Sequence, residues 1–340
     1  MTDGIRTAEV TAWLSDRAWD IEEPLSFDLI AGGRSNLTYR VRDAQGRSWA
    51  LRRPPLHLVL PTAHDVAREH RVLDALSTSG VPVPSVIGLC TDPAVNGSPF
   101  FVMDFVEGHI LRTTEDVEAI APSSRKEIAR NMSEVLVMLH DLDPDSVGLA
   151  DFGRREGYLE RQIRRWSEQY EKTQTGDSIS TALVDEVSHR LLYRLPTQER
   201  TAIVHGDYRI DNIILEGDAS VKAVLDWELC TLGDPLADLG LLMVYWTQPG
   251  EAHPLVENSA TAAQGMSSRD EVLKYYTSAS TLDLTDLDYY VAFSRWKLAC
   301  ILQGVYARYK AGAGAGDQSN VVDYPSRVRH LLEAGLGLLT

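Results

Sequence analysis

Residues 204–240 read VHGDYRIDNIILEGDASVKAVLDWELCTLGDPLADLG, and three side chains in this stretch decide how the rest of the chain is read. Asp207 sits on a turn after the strand-like run TAIVHGD. Asn212 follows five residues later, where the next strand-like run begins, and Asp226 comes fourteen residues after that, at the end of VKAVLDW. Two short antiparallel strands joined by residues 216–220 would bring Asp226 back beside Asn212, with Asp207 on the preceding loop. Phosphoryl transfer from a nucleotide needs this set. One carboxylate orients the attacking hydroxyl and takes its proton, and two further oxygen ligands hold Mg2+ against the phosphates. Asp207 is the candidate base; Asn212 and Asp226 are the candidate metal ligands. Beyond them Pro235 opens a helix that Asp234 is placed to cap, with Asp238 one turn in.

Upstream, FDLIAGG, LTYRVRD and RSWALRR read as three antiparallel strands with tight turns, stopped by Pro54-Pro55 and Pro61. From Thr62 to Ser79 the residues Val66, Glu69, Leu73 and Leu76 share one helical face, and Gly80 ends the helix. VPVPSVIGLC and SPFFVMDFVEG supply two more strands. Residues 1–20 read as a helix with Val10, Trp13 and Leu14 on one side. The remainder is mainly helical. Ile128, Met132, Val135, Leu136 and Leu139 mark a helix ending near His140. Further helices are expected at Tyr158–Tyr170, Ala182–Leu195, Asp286–Lys310 and Val321–Leu339. Two stretches look loose: Thr247–Ser268, and Ala311–Asn320 with its AGAGAG run.

The 204–240 block resembles the catalytic motif of aminoglycoside-phosphotransferase and choline-kinase-like enzymes, small-molecule relatives of the protein kinases. These write His-Gly-Asp with a later Asn, then Asp-Trp or Asp-Phe. The resemblance implies an α+β, bilobal protein-kinase-like fold. Its N-terminal part, residues 1–105, is an antiparallel five-stranded sheet plus a helix that binds nucleotide. Its larger, mainly helical C-terminal part, residues 106–340, carries the catalytic loop, metal site and acceptor pocket. GGRSNLTY, LRRPP, VMDFVEG and HGDYRIDN, with the block that follows, are similar to one branch in particular. That branch holds bacterial phosphotransferases akin to the kinase portion fused to some acyl-CoA dehydrogenases.

The resemblance assigns further residues. The loop Ile30–Tyr39 places Ser35 and Asn36 at the nucleotide phosphates, although a plain hairpin turn explains the same letters. Protein kinases put a phosphate-gripping lysine on the third strand, but the six lysines of this chain begin at Lys126. Arg52 takes that position, keeping the charge and adding a bidentate fork. Glu69 would be its partner, because an unpaired carboxylate on an apolar stripe costs several kcal/mol; the alternative is a glutamate at the edge of the stripe reaching water. Met103 matches the gatekeeper, with the Asp104 carbonyl and Val106 amide facing the adenine edge. His205 and Asp238 would support the catalytic loop, Asp234 belongs to the same supporting motif, and His140 reads as structural. Arg209 and Glu228 lie near phosphate or metal.

The activity so implied is a Mg2+-dependent transfer of the γ-phosphate of ATP or GTP to a hydroxyl of a small metabolite, with a hydroxyacyl compound favoured by the closer resemblance. The alternatives are an aminoglycoside- or choline-type acceptor, and a catalytically silent nucleotide-binding scaffold. Retention of Asp207, Asn212 and Asp226 together argues against silence. The aromatic residues Tyr289, Tyr290, Phe293, Trp296, Tyr306 and Tyr309 form either core or an apolar acceptor wall, and Thr247–Ser268 is a candidate acceptor lid.

Composition agrees and excludes. A chain of 340 residues suggests two domains, and 44% hydrophobic with 24% charged residues is globular composition. The 49 acidic against 33 basic residues, net −16, disfavour nucleic-acid and anionic-membrane partners. Cys90, Cys230 and Cys300 are too scattered for a zinc site and read as buried free thiols. With no signal peptide and no apolar run of membrane length, a cytoplasmic protein is expected. The dozen residues from Asp226 to Asp238 are too few for the activation loop of a protein kinase, and no GxGxxG turn opens a helix. The sequence carries no signal of oligomeric state.

Overall fold

Side-chain alternation explains how one sheet serves two purposes. The computed structural model describes residues 3–17, 21–31, 36–56, 65–176, 181–312 and 323–340. The chain divides into two compact units, Met1–Glu107 with Lys222–Cys230, and Gly108–Val221 with Thr231–Thr340. In the first, helix α1 (Thr7–Ser15) precedes strands β1 (Ser26–Ala31), β2 (Leu37–Arg42) and β3 (Ser48–Arg53). Helix α2 (Val66–Leu76), strand β4 (Val86–Cys90), the short α3 (Pro93–Asn96) and strand β5 (Phe100–Asp104) follow. The strands form one antiparallel sheet in the order β1-β2-β3-β5-β4.

On one face Tyr39, Val41, Leu51, Phe100 and Val102 pack with Val10, Trp13 and Leu14 of α1. The opposite face carries Arg52, which pairs in register with Phe101, and Phe101 meets His70 of α2 edge-on at 6.0 Å. A period of two residues therefore turns Arg52 away from the α1 core and toward α2. Asp65 caps α2, accepting from the amides of Ala67 and Arg68. Val66, Glu69, Val72, Leu73 and Leu76 are its buried residues. The expected start at Thr62 lies outside the described residues; the helix ends at Leu76, three residues before the expected Ser79.

Residues 222–230, which chain order assigned to the C-terminal part, group with the first unit. The reason is local bonding. Val224 N donates to the Pro82 carbonyl at 2.8 Å, and Arg68 of α2 reaches the Cys230 carbonyl at 3.3 Å.

The second unit contains α4 (Arg125–Asp141), α5 (Tyr158–Lys172), α6 (Thr181–Tyr193), β6 (Ala202–Val204) and β7 (Ile213–Leu215). The strand β8 (Val221–Val224) crosses to the first unit. The second unit resumes with β9 (Thr231–Gly233), α7 (Leu236–Tyr245), α8 (Arg269–Ala279), α9 (Leu287–Lys310) and α10 (Tyr324–Leu338). Two elements were not anticipated. Strand β9, three residues long, pairs antiparallel with β6. Helix α8 is opened by a capping box in which Ser268 and Glu271 bond each other's backbone amides.

The 24-residue α9 is the central element of this unit and packs against α5, α6, α7 and α10. Its aromatics are core, apart from Tyr309, which is half-buried. Tyr289, Tyr290, Phe293, Trp296 and Tyr306 are buried, and Tyr289 and Trp296 bond carbonyls of α6. The stretch Thr247–Ser268 is irregular but anchored: Trp246 Nε1 donates to the Ser267 carbonyl, and Thr261 Oγ1 to the Thr247 carbonyl. Of the expected connector Ala311–Asn320, only residues 311 and 312 are described. Among the described residues no helix is long and apolar enough to cross a membrane.

Candidate active site

In the first unit the site is built around Arg52. Its Nε lies 2.9 Å from Glu69 Oε2 and its Nη2 lies 2.5 Å from Asp226 Oδ1. Glu69 has a side chain only 2% exposed and also accepts from Asn36 Nδ2 at 3.2 Å. One guanidinium thus stands among the carboxylates of Glu69, Asp226 and Glu228. Burial alone would lower the Arg52 pKa, but the three carboxylates outweigh it and the group is held above its ordinary value. For Glu69, burial leads, and the Asp226 and Glu228 charges add to it. Together they overcome the opposing pull of Arg52 and push the carboxyl up to about 7.

Asp226 adopts φ +66°, in the left-handed region that a non-glycine residue enters at a cost of roughly 1–3 kcal/mol. The strain aims a side chain that is 29% exposed, and the residues after it, Trp227–Leu229, form a single 3-10 turn. At the end of β5, Met103 is buried opposite Ala50, Asp104 is exposed, and Val106 is half-buried in the link that follows. Arg40 lies over the Phe105 ring and bonds Glu107, tying down that link. Ser35 lies outside the described residues.

In the second unit the loop after β6 is clamped by its own backbone. Asp238, on the first turn of α7, accepts from His205 N at 2.6 Å and from Gly206 N at 2.8 Å. Burial would raise the Asp238 pKa, but the His140 side chain and the Gly206 amide hold the carboxyl below its usual range. His140 completes this layer, with Nε2 at 3.5 Å from Asp238 and Nδ1 at 2.8 Å from the Tyr276 hydroxyl. The His205 ring Nδ1 receives the Asp207 amide at 3.2 Å. Asp234 Oδ1 accepts from Leu236 N and its Oδ2 from the Tyr290 hydroxyl, so it fixes the start of α7.

Asn212 Nδ2 donates to the Asp207 carbonyl at 2.9 Å and to Asp207 Oδ2 at 3.1 Å. With the amide nitrogen committed to Asp207, the Oδ1 of Asn212 points its acceptor elsewhere. Asp207 and Asn212 therefore come together in one unit, while Asp226, Arg52, Glu69 and Asn36 come together in the other. Arg209 turns to Asp211, with Nε at 2.6 Å from its Oδ1, and stacks over the Tyr245 ring at 4.5 Å. Burial and the Asp207 charge push the Tyr245 hydroxyl up to about 12. Sequence reading overlooked Lys297, whose Nζ donates to the Gly206 carbonyl at 3.2 Å. Its signal was present: a lysine between Trp296 and the apolar run 298–302.

The oxygen donors offered by Asn212 and Asp226 are the hard type that Mg2+ takes. Among the described residues no group of three or more His, Cys, Asp or Glu side chains could hold a metal ion.

The family model described as the phosphotransferase enzyme family matches residues 26–272. Acyl-CoA dehydrogenase family member 10 of Mus musculus is 36% identical over 295 residues, which is 85% of this chain and 27% of that protein. The chain thus spans about a quarter of the length of that relative. The crystal structure of a candidate aminoglycoside phosphotransferase from Ralstonia eutropha JMP134 is 32% identical, with a TM-score of 0.81 and 98% of both chains covered. Choline kinase from Cryptosporidium parvum shares the fold, with a TM-score of 0.65 at 14% identity over 98% of this chain and 96% of that one.

Proposed function

The chain belongs to the phosphotransferase enzyme family, and on that premise we propose that it moves the γ-phosphate of ATP or GTP to a hydroxyl of a small metabolite with Mg2+ as cofactor. The observation that carries this reading is the Asp207–Asn212 pair. It is a carboxylate and an amide bonded at 3.1 Å on a loop whose backbone amides are held by Asp238. In the reaction the γ-phosphorus loses its bond to the bridging oxygen and gains one to the acceptor oxygen. The hydroxyl proton passes to the Asp207 carboxylate, which also aims the hydroxyl.

Asn212 and Asp226 would hold the metal, which when bound neutralises phosphate charge. Arg52, set by Glu69 and Asn36, binds the phosphates, and Ser35 is assigned to the same task. Met103, the Asp104 carbonyl and the Val106 amide receive the base of the nucleotide. Glu228 lies in the carboxylate cluster near the metal ligands, and Arg209 flanks the catalytic loop. His205, Asp234 and Asp238 hold that loop and the helix behind it. Most of the catalysis is then positioning and charge neutralisation.

The acceptor we favour is a hydroxyacyl compound, supported by 36% identity to a relative named as an acyl-CoA dehydrogenase family member. A cationic acceptor of the aminoglycoside class is the second reading, favoured by the similarity to the Ralstonia protein, which is named for that class, and by the net charge of −16. The buried thiols Cys90, Cys230 and Cys300, none of them in a disulfide, support action in a reducing, cytoplasmic setting.

The test is capture of radiolabelled γ-phosphate by pooled hydroxyacyl thioesters, aminoglycosides and choline, comparing wild type with Asp207→Asn. Label should enter the hydroxyacyl pool and fall by about 10²–10⁴-fold in the variant. Affinity for Mg·ATP should stay within roughly threefold, because the lost group acts on the hydroxyl and not on the nucleotide. Tight nucleotide binding with no label in any pool would instead support the silent scaffold.

A further inference from the structure

We propose that Lys297 is a positioning residue for Asp207, acting through the peptide that joins Gly206 to Asp207; this rests on reading Asp207 as the reacting carboxylate. Lys297 lies midway along α9 and is 8% exposed. Its Nζ donates to the Gly206 carbonyl at 3.2 Å, while the Gly206 amide donates to Asp238 Oδ1 at 2.8 Å. Gly206 stands at φ +86°, open to glycine and strained for other residues. It is therefore the freest backbone joint in the loop, and it is gripped at both ends by side chains from two different helices.

The grip matters because a peptide is planar. The Gly206 carbonyl and the Asp207 amide belong to one rigid plate. Lys297 holds the oxygen edge of that plate, and His205 Nδ1 holds the nitrogen edge at 3.2 Å. With both edges fixed, the N–Cα bond of Asp207 is fixed too, and it is the axis from which the carboxylate reaches Asn212 at 3.1 Å. Release of the oxygen edge lets the plate rotate about Gly206, which has no side chain to resist it.

The choice of residue points the same way. Burial of the lysine amine drives its pKa down, opposed by the charges of Asp238 and Asp207 and aided by that of Arg165. The group it bonds among the described residues is a carbonyl, not a carboxylate. Burying an amine opposes folding, and an apolar side chain of similar length avoids that penalty at the expense of one bond to a carbonyl. A lysine in this position is therefore explained by what it holds.

The experiment compares wild type, Lys297→Met and Lys297→Arg. Peptide-resolved hydrogen exchange reads the loop without any need for turnover. In the Met variant the amides of Asp207 and Tyr208 should exchange about tenfold faster or more, with α7 and α9 unchanged. The thermal midpoint should stay level or rise, which a merely structural lysine would not allow. With Mg·ATP, kcat for phosphoryl transfer, to acceptor or to water, should fall about tenfold or more while KM for ATP moves less than about twofold. Arg, which restores an N–H donor, should recover most of the rate. Unchanged exchange at Asp207 and Tyr208 in the Met variant overturns the role of Lys297, whether or not the chain moves phosphate. Faster exchange there in a chain whose wild type transfers no phosphate upholds the grip and removes the phosphotransferase reading instead.

Discussion

Arg52 answers two carboxylates with one guanidinium, Glu69 through Nε and Asp226 through Nη2, while a third carboxylate, Glu228, bears on it electrostatically. The excess of negative charge explains why the arginine stays firmly charged while burial and its neighbours make Glu69 reluctant to ionise. Arg52→Met would leave Glu69 buried without its cation. Breaking a buried pair in this way costs about 3–5 kcal/mol, to be read by denaturant unfolding. Adding Glu69→Gln should return a large part of that loss, because the amide needs no counter-ion and its oxygen still accepts from Asn36. Strict additivity of the two changes would show that the pair is not coupled. The pairing was legible in the sequence, since a carboxylate on an apolar stripe demands a partner and no lysine precedes residue 126. The left-handed backbone of Asp226 was not, because aspartate enters that region more readily than most residues yet is far more often outside it.

Helices α7 and α9 each bring one clamp to the loop after β6, Asp238 and Lys297, so their mutual packing matters beyond stability. They meet at Gly240, where an added Cβ would fall 2.6 Å from the backbone carbonyl of Tyr290. Gly240→Ala gains about 1 kcal/mol of helix propensity but must open a backbone-to-backbone contact, and overpacking of that kind costs roughly 1–3 kcal/mol or more. Packing should win. The expected outcome is a lowered unfolding midpoint, with hydrogen exchange in the His205–Tyr208 loop accelerated as the two clamps separate. A stabilised variant with a quiet loop would mean that the helices can part at no cost. At this scale the sequence was readable where periodicity is long. Helix α5 begins at the expected residue, and α9 within one of it. Strand β9 was unreadable because only Leu232 in it is strongly apolar, between a threonine and a glycine, whereas the equally short β6 and β7 are apolar throughout. Helix α8 escaped notice although its start signal, Ser268-x-x-Glu271, was in plain view.

For the whole molecule, pH is the sharper probe. Burial leads in pushing the Asp234 carboxyl up to about 6, against the bonds it accepts from Tyr290 and Leu236. Its folded-state pKa is above the unfolded value near 3.9, so the folded chain binds this proton more tightly. The contribution to stability is fully present below about pH 4 and is lost as pH rises through about 6. By pH 7 the loss is on the order of 3 kcal/mol. Relative to Asp234→Asn, wild type should therefore lose stability between pH 4 and 7, as urea unfolding of both chains across that window would show. Parallel curves would place the folded pKa near the unfolded one.

The linear order of residues determined which chemistry this protein can attempt. The HGD–Asn–Asp spacing, an arginine where lysine is missing, and helices and strands with a clear period all follow from near neighbours along the chain. Tertiary structure decided the partnerships that no local signal announces. It drew residues 222–230 into the first unit, set β9 beside β6, and brought Lys297 behind Gly206, 91 residues away in sequence. Local periodicity says which face of an element is apolar, but not which distant face covers it. That choice is made when packing and hydrogen bonding across long loops repay the entropy of closing them.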